Sequence, residues 1–167
     1  MNEEERMLIE KNRQMLSLKS MYFNRYLLVR YVTALFFFTN LYWMILLILS
    51  KSSYVYIPIA FMAILTMSIA EQVKIYNSHT NNPQYTRYSF IVMIFANAVL
   101  IVPTSISYTF EKLYPFLANQ MQSRLLILSI LLAGILLSAL VLHRLNQIRN
   151  NEDKQYKRIK EYEAAIK

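Results

Sequence analysis

The sequence contains no cysteine and only one glycine among its 167 residues. A chain without cysteine has no disulfide, no thiol nucleophile and no zinc–thiolate site. A chain with a single glycine has no Gly-rich phosphate-binding loop and no G-x-S-x-G nucleophile elbow. These absences exclude several large classes of enzyme and of cofactor-binding protein.

Histidine is also scarce, since His79 and His143 are the only two. They do not show the H-x-x-x-H or H-E-x-x-H spacing that places two imidazoles on one helix face for a metal ion. We therefore predict no metal site, no other cofactor and no catalytic residues. A non-enzymatic protein is the expectation that follows.

Apolar residues, in contrast, make up 56% of the chain. The run from Arg25 to Ser50 is almost wholly apolar, and the run from Leu125 to Leu142 contains no charge. Such runs match the roughly 20 residues that a helix needs to cross a bilayer. They predict an all-α fold, a polytopic integral membrane four-helix bundle with cytoplasmic N- and C-terminal helices.

Three parts are expected along the chain, and only the middle part is embedded in the membrane. They are a cytoplasmic amphipathic helix (1–24), a four-span domain (25–145) and a charged helical tail (146–167). The spans are expected at about 26–49, 55–75, 88–108 and 125–142. Within the third span, Pro103 should kink the helix or weaken one backbone hydrogen bond.

The N-terminal segment has one apolar stripe, formed by Leu8, Met15, Leu18 and Tyr22. This spacing is typical of an amphipathic helix. One interpretation is a docking helix for a partner protein. The other is a helix that lies on the membrane surface or packs against the chain's own C-terminal tail.

Basic residues are distributed unequally between the two sides of the predicted bundle. Of eighteen Lys and Arg, six lie in residues 1–30 and seven in residues 144–167, and Lys74 and Arg87 bring that side to fifteen. The other side has Lys51, Lys112 and Arg124. The positive-inside rule therefore predicts a multi-pass plasma-membrane protein with both termini in the cytoplasm. The net charge of +8 is explained by this orientation, and we expect no nucleic-acid partner.

Four polar residues inside the spans are candidate functional residues. Arg30 and Glu71 should lie at similar depth, which predicts an ion pair because an unpaired charge there is costly. Such a pair either clamps the bundle or serves a pathway or a partner, unless Arg30 extends to lipid phosphates instead. Asn40 and Asn97 should hydrogen-bond to each other or to a neighbouring helix, and a substrate-binding role is the alternative.

Two further features concern how the helices pack. Gly134 and Ser138 form a small-xxx-small pair in the fourth span, which permits close approach of another helix. Tyr42 and Trp43 lie near the end of the first span, as interfacial anchors do.

The run IEKNRQMLSLKSMYFNRYLLVRYVTALFFFTNLYW (9–43) resembles small four-span membrane proteins of streptococci and related Gram-positive bacteria. Some of those proteins are called PTS cellobiose transporter subunit IIA. Subunits properly of that name are soluble helical proteins phosphorylated on a histidine, whereas this chain is built of apolar spans. His79 is the single candidate acceptor that the name would imply. The resemblance implies a bacterial plasma-membrane setting.

The function predicted from these patterns is a non-enzymatic accessory or scaffold subunit. It would associate with itself or with another membrane protein, as well as with membrane lipids. The alternative is a small homo-oligomeric channel or transporter, with a polar path lined by Arg30, Glu71, Asn40 and Asn97. A membrane enzyme is the third interpretation.

Overall fold

The computed structural model describes residues 2–78 and 82–166, and all regular structure in them is helical. A short 3₁₀ turn, Ser53–Val55, lies between the second and third helices. The helices are α1 (Glu3–Asn24), α2 (Leu27–Leu49), α3 (Tyr56–Ser78), α4 (Gln84–Ser105), α5 (Ser107–Leu113), α6 (Met121–Arg149) and α7 (Lys154–Ala165). Four of them, α2, α3, α4 and α6, are long and apolar enough to cross a membrane. His79 lies outside the described residues.

The four long helices form a closed bundle. α4 packs along α6 and α2 along α3, while further contacts join α3 to α4 and α2 to α6. Buried side chains from all four helices form the core, with Val29, Leu65, Phe90 and Val141 fully enclosed. The outward faces carry large exposed apolar side chains, which suits helices surrounded by lipid.

α1 begins with a capping box, in which Asn2 and Glu5 satisfy each other's backbone N–H groups. The helix ends at Asn24, and Arg25 and Tyr26 separate it from α2. At Tyr26 the backbone has φ −96° and ψ 11°, which interrupts the helical hydrogen bonding. α1 can therefore leave the axis of the first span and lie against α7 and α3.

The third span helix ends at Ser105, three residues before the predicted end. Pro103 lies in its last turn, where its missing N–H removes one backbone hydrogen bond and favours ending the helix. Thr104 and Ser105 donate hydrogen bonds to carbonyl oxygens one turn back, at 2.7 and 2.9 Å. Ile106 is extended, with ψ 124°, and α5 follows as a separate helix.

The C-terminal tail is two helices and not one continuous extension. α6 runs past the predicted end of the fourth span, Leu142, and continues to Arg149. The chain then turns at Asn151, whose φ of 56° lies in the left-handed region that asparagine tolerates. This turn directs α7 back along α1.

Candidate functional site

A fully buried ion pair, which sequence reasoning missed, holds the two tails to the bundle. The Arg25 guanidinium donates to both carboxylate oxygens of Asp153, with Nη2 2.6 Å from Oδ1 and Nε 3.2 Å from Oδ2. Nη2 also donates to the Ile148 carbonyl and to Asn151 Oδ1, at 3.1 and 3.0 Å. Both side chains of the pair are closed to solvent. The fork geometry of arginine is what allows one side chain to fix this whole turn.

Asp153 has a second role, as the N-cap of α7. Its Oδ2 accepts the backbone N–H of Tyr156 at 3.1 Å, which satisfies one of the free donors in the first turn. The Tyr156 ring lies 5.0 Å from the Arg25 guanidinium carbon. The ion pair therefore joins the start of α2, the end of α6 and the start of α7.

The two tail helices, α1 and α7, pack together as one of the interpretations of the N-terminal stripe expects. Ile159 is fully buried, and the Tyr22 hydroxyl donates to Glu163 Oε1 at 3.2 Å. Partial burial, with the nearby Glu163 charge as a smaller cause, raises the pKa of Tyr22 above its ordinary value. The first half of α1 extends past this contact and is exposed.

Glu71 does not pair with Arg30. Its carboxylate accepts the backbone N–H groups of Tyr85 and Thr86 at 3.1 and 2.6 Å, and the Thr86 hydroxyl at 2.7 Å. These are first-turn N–H groups of α4, which have no partner within their own helix. The positive end of the α4 dipole also favours a carboxylate here. Glu71 is therefore a tertiary cap of α4.

Arg30 turns back towards α1. It donates to the carbonyl oxygen of Phe23 and lies over the Phe23 ring. Its Nε is buried and has no hydrogen-bond partner among the described residues. The predicted Arg30–Glu71 ion pair is thus not formed, because the α4 N-terminus offers the carboxylate three donors and the backbone of Phe23 offers Arg30 an acceptor.

Thr33 of α2 contacts Gln72, the residue next to Glu71 in α3. Gln72 Nε2 donates to the hydroxyl oxygens of Thr33 and Ser68, each at 3.0 Å, and all three side chains are buried. The first of these bonds joins α2 to α3. Gln72 is not among the four polar residues that the sequence suggested as candidates.

Asn40 and Asn97 do not bond to each other. Asn40 donates to the Phe36 carbonyl of its own helix at 2.8 Å, and Asn97 donates to the Met93 carbonyl at 2.9 Å. Because a carbonyl can only accept, the amide nitrogen must face it in both cases. Among the described residues no hydrogen bond reaches either amide oxygen.

Gly134 and Ser138 are both buried in α6, and Gly134 lies against Asn97 of α4. A Cβ atom at position 134 would be 3.0 Å from Asn97 Nδ2 and 3.2 Å from its Cγ. The absence of a side chain here makes room for the Asn97 amide. The Ser138 hydroxyl is buried without a hydrogen-bond partner in the part of the chain that the structure describes.

Trp43 is packed within the protein, and its neighbour Tyr42 is the one that is exposed. Trp43 Nε1 donates to the Leu113 carbonyl at 3.2 Å, and its ring stacks on Tyr114 with centroids 5.5 Å apart. Phe110, Leu113 and Tyr114 form a second buried cluster around this contact. The segment after α4 is therefore a packed aromatic plug at one end of the bundle.

Asn40 and Asn97 both line a cavity of about 210 Å³ between the spans. Arg30 and Glu71 do not line it, so the four predicted polar residues do not share one path. Within residues 2–78 and 82–166, no group of His, Asp and Glu is placed to hold a metal ion. No protein-family model, no curated protein and no solved structure matches this chain.

Proposed function

We propose that this chain is a non-enzymatic accessory or scaffold subunit of the plasma membrane that binds another membrane protein or a second copy of itself. The observation that supports this most is the exposed apolar surface at the start of α1. We call it the α1 face, and it consists of Met7, Leu8, Ile9, Met15 and Leu16. Each of these side chains is more than half exposed.

The spacing within the α1 face favours a helical partner. Leu8 and Met15 are seven residues apart, and so are Ile9 and Leu16. Each pair lies along one line of the helix and the two lines are about 100° apart, so together they form a broad apolar surface along which another helix can pack. Contiguous exposed apolar side chains outside the spans are also typical of interaction surfaces.

The tail contacts support the same proposal because they hold α1 in place. The buried Arg25–Asp153 pair fixes the base of the tails, and the Tyr22–Glu163 hydrogen bond lies further along them. A helix that is already positioned loses less conformational entropy on binding than a free segment does. The α1 face is therefore pre-organised for a partner.

The proposed orientation places both termini, and with them the α1 face, in the cytoplasm. Its support is the distribution of basic residues, fifteen on the side of the tails and three on the other. The partner surface would thus be a cytoplasmic helix of a membrane protein or of a second copy.

In-cell photo-crosslinking tests this proposal. A photo-reactive phenylalanine analogue at Leu8 or Leu16 should give one discrete protein adduct, identified by mass spectrometry. The matched control is Glu10, which is exposed and lies about 160° around α1 from Leu8 and about 120° from Leu16. Adducts to lipid alone at Leu8 and Leu16, together with a monomer that purifies without partners in mild detergent, would overturn it.

The alternative is a small channel or transporter, and one observation favours it. Asn40 and Asn97 line the same cavity inside the bundle. The contacts of Glu71 and Arg30 argue against a channel, because Glu71 caps α4 and Arg30 donates to the Phe23 carbonyl. Solute or ion flux in liposomes containing the purified chain, lost in Asn40→Leu, would establish this function in place of the first.

A further inference from the structure

The cavity between the spans is built by all four long helices and by the aromatic plug. Its apolar wall includes Phe36, Phe61, Met93 and Leu131, and Tyr114 and Phe116 close one end. Its volume of about 210 Å³ exceeds the roughly 150 Å³ of an apolar cavity that holds benzene. It is smaller than the roughly 300 Å³ at which sites for drug-sized ligands begin. A molecule of one substituted ring fits this space.

The mouth of the cavity lies between α2 and α6. Thr39, Tyr42 and Ile130 line the cavity and are exposed, and they belong to these two helices. Both helices are apolar enough to span a membrane, so the mouth faces the acyl chains. A ligand would reach the cavity from the bilayer, which requires that it dissolve in lipid.

The polar groups in the cavity wall determine which functional group the ligand must have. The carboxamides of Asn40 and Asn97 each use one hydrogen on their own helix, which leaves a carbonyl oxygen and one N–H on each. The Trp43 N–H is already donated to Leu113. A hydroxyl group complements a carboxamide because it donates to the oxygen and accepts from the N–H.

We propose that this cavity binds a small, lipid-soluble hydroxy compound of one ring, a phenol in chemical class. Aromatic walls pack against the ring, and Asn40 and Asn97 bind the hydroxyl group. The site is independent of the α1 face, so it stands whether or not the chain is an accessory subunit.

Trp43 makes the site measurable, because it lines the cavity and is the only tryptophan in the chain. The protein in lipid nanodiscs is titrated with 4-bromophenol, whose bromine quenches tryptophan fluorescence. Saturable quenching is expected. Bromobenzene, which lacks the hydroxyl, should bind about five- to tenfold more weakly, as loss of one hydrogen bond predicts.

Two variants identify the site. Ala96→Phe fills the cavity and should abolish the saturable phase, whereas Leu136→Phe adds a ring on the exposed side of α6 and should leave it unchanged. Asn97→Leu keeps the size of the side chain and should remove the preference for 4-bromophenol over bromobenzene. This variant also decides the question if Ala96→Phe does not fold.

Three results would overturn the proposal. Quenching that rises linearly with 4-bromophenol would show partitioning into lipid only. Equal affinity for the two probes in the wild-type chain would exclude a hydroxyl-binding site. An Asn97→Leu chain that still prefers 4-bromophenol would place the hydroxyl elsewhere.

Discussion

Arg25 and Asp153 are 128 positions apart in the sequence and form an ion pair that is wholly enclosed by the protein, 2.6 Å between Nη2 and Oδ1. The pair lies where the first span, the fourth span and α7 meet. Two charges in such a place are stable only when each satisfies the other and the remaining donors find acceptors. Ile148 and Asn151 supply those acceptors.

Removing either partner should destabilise the chain strongly. Asp153→Ala is expected to lower the free energy of unfolding by about 3–5 kcal/mol, because it removes the carboxylate that compensates the buried charge of Arg25. Asp153→Asn keeps a good N-cap for α7 and should cost about 1 kcal/mol less than Asp153→Ala. The measurement is unfolding of the purified protein in mixed micelles with increasing denaturing detergent.

The control for this series is Lys160→Gln, which breaks the exposed pair between Lys160 and Glu163. Its unfolding midpoint should equal that of the wild type, because exposed ion pairs contribute little. An Asp153→Ala variant as stable as this control would contradict the role assigned to the buried pair.

Glu71 should stabilise the protein by capping the first turn of α4, and not by forming an ion pair with Arg30. Glu71→Gln keeps one acceptor oxygen and is expected to cost about 1 kcal/mol, while Glu71→Leu removes the cap and should cost about 2 kcal/mol. Backbone amide exchange at Tyr85 and Thr86 should accelerate in both variants.

The Arg30→Leu variant distinguishes capping of α4 by Glu71 from an Arg30–Glu71 ion pair. It should leave the amide exchange of Tyr85 and Thr86 unchanged, since Arg30 bonds to Phe23 and not to Glu71. Faster exchange at those two amides in Arg30→Leu would show that Arg30 and Glu71 act together after all.

The four long helices could be predicted from the sequence, whereas the partners of Glu71 and Arg25 could not. The four apolar runs predict the four long helices, because length and hydropathy are local properties of the sequence. The partners of Glu71 and Arg25 are set by tertiary geometry. Glu71 contacts the start of α4 only because α4 begins beside it in the fold. In the sequence, Arg25 cannot be distinguished from the other basic residues that flank the first apolar run.

The cavity and the Thr33–Gln72 hydrogen bond could not be predicted from the sequence either, because both also depend on tertiary geometry. Rotation of a helix about its axis decides whether residue 71 or residue 72 faces α2, and adjacent residues differ by about 100°. Charge suggested Glu71, whereas packing placed Gln72 at the contact. Asn40 and Asn97 were recognised as polar residues inside spans, but their shared cavity depends on how four helices meet.

Gly134 and Asn97 should be energetically coupled. Gly134→Ala places a methyl group 3.0 Å from the Asn97 amide nitrogen, and the overpacking cost of about 1–3 kcal/mol is offset in part by the roughly 1 kcal/mol that alanine gains over glycine inside a helix. In an Asn97→Ala background the same substitution should cost much less, since the clashing group is gone. A double-mutant cycle measured by unfolding in mixed micelles should give a coupling energy of about 1 kcal/mol or more. Additive effects would show that α4 and α6 do not approach closely at this point.

The proposed orientation predicts which side of the membrane each turn faces. Because the chain has no cysteine, single cysteines can be introduced without background, at Ser53 and Ala118 for one side and at Ser20 and Lys157 for the other. All four positions are exposed in the structure. A membrane-impermeant maleimide should label Ser53→Cys and Ala118→Cys in intact cells, but Ser20→Cys and Lys157→Cys only after permeabilisation, because the basic residues hold the tails inside. The reverse pattern would place the tails, and the α1 face with them, outside the cell and would exclude a cytoplasmic partner.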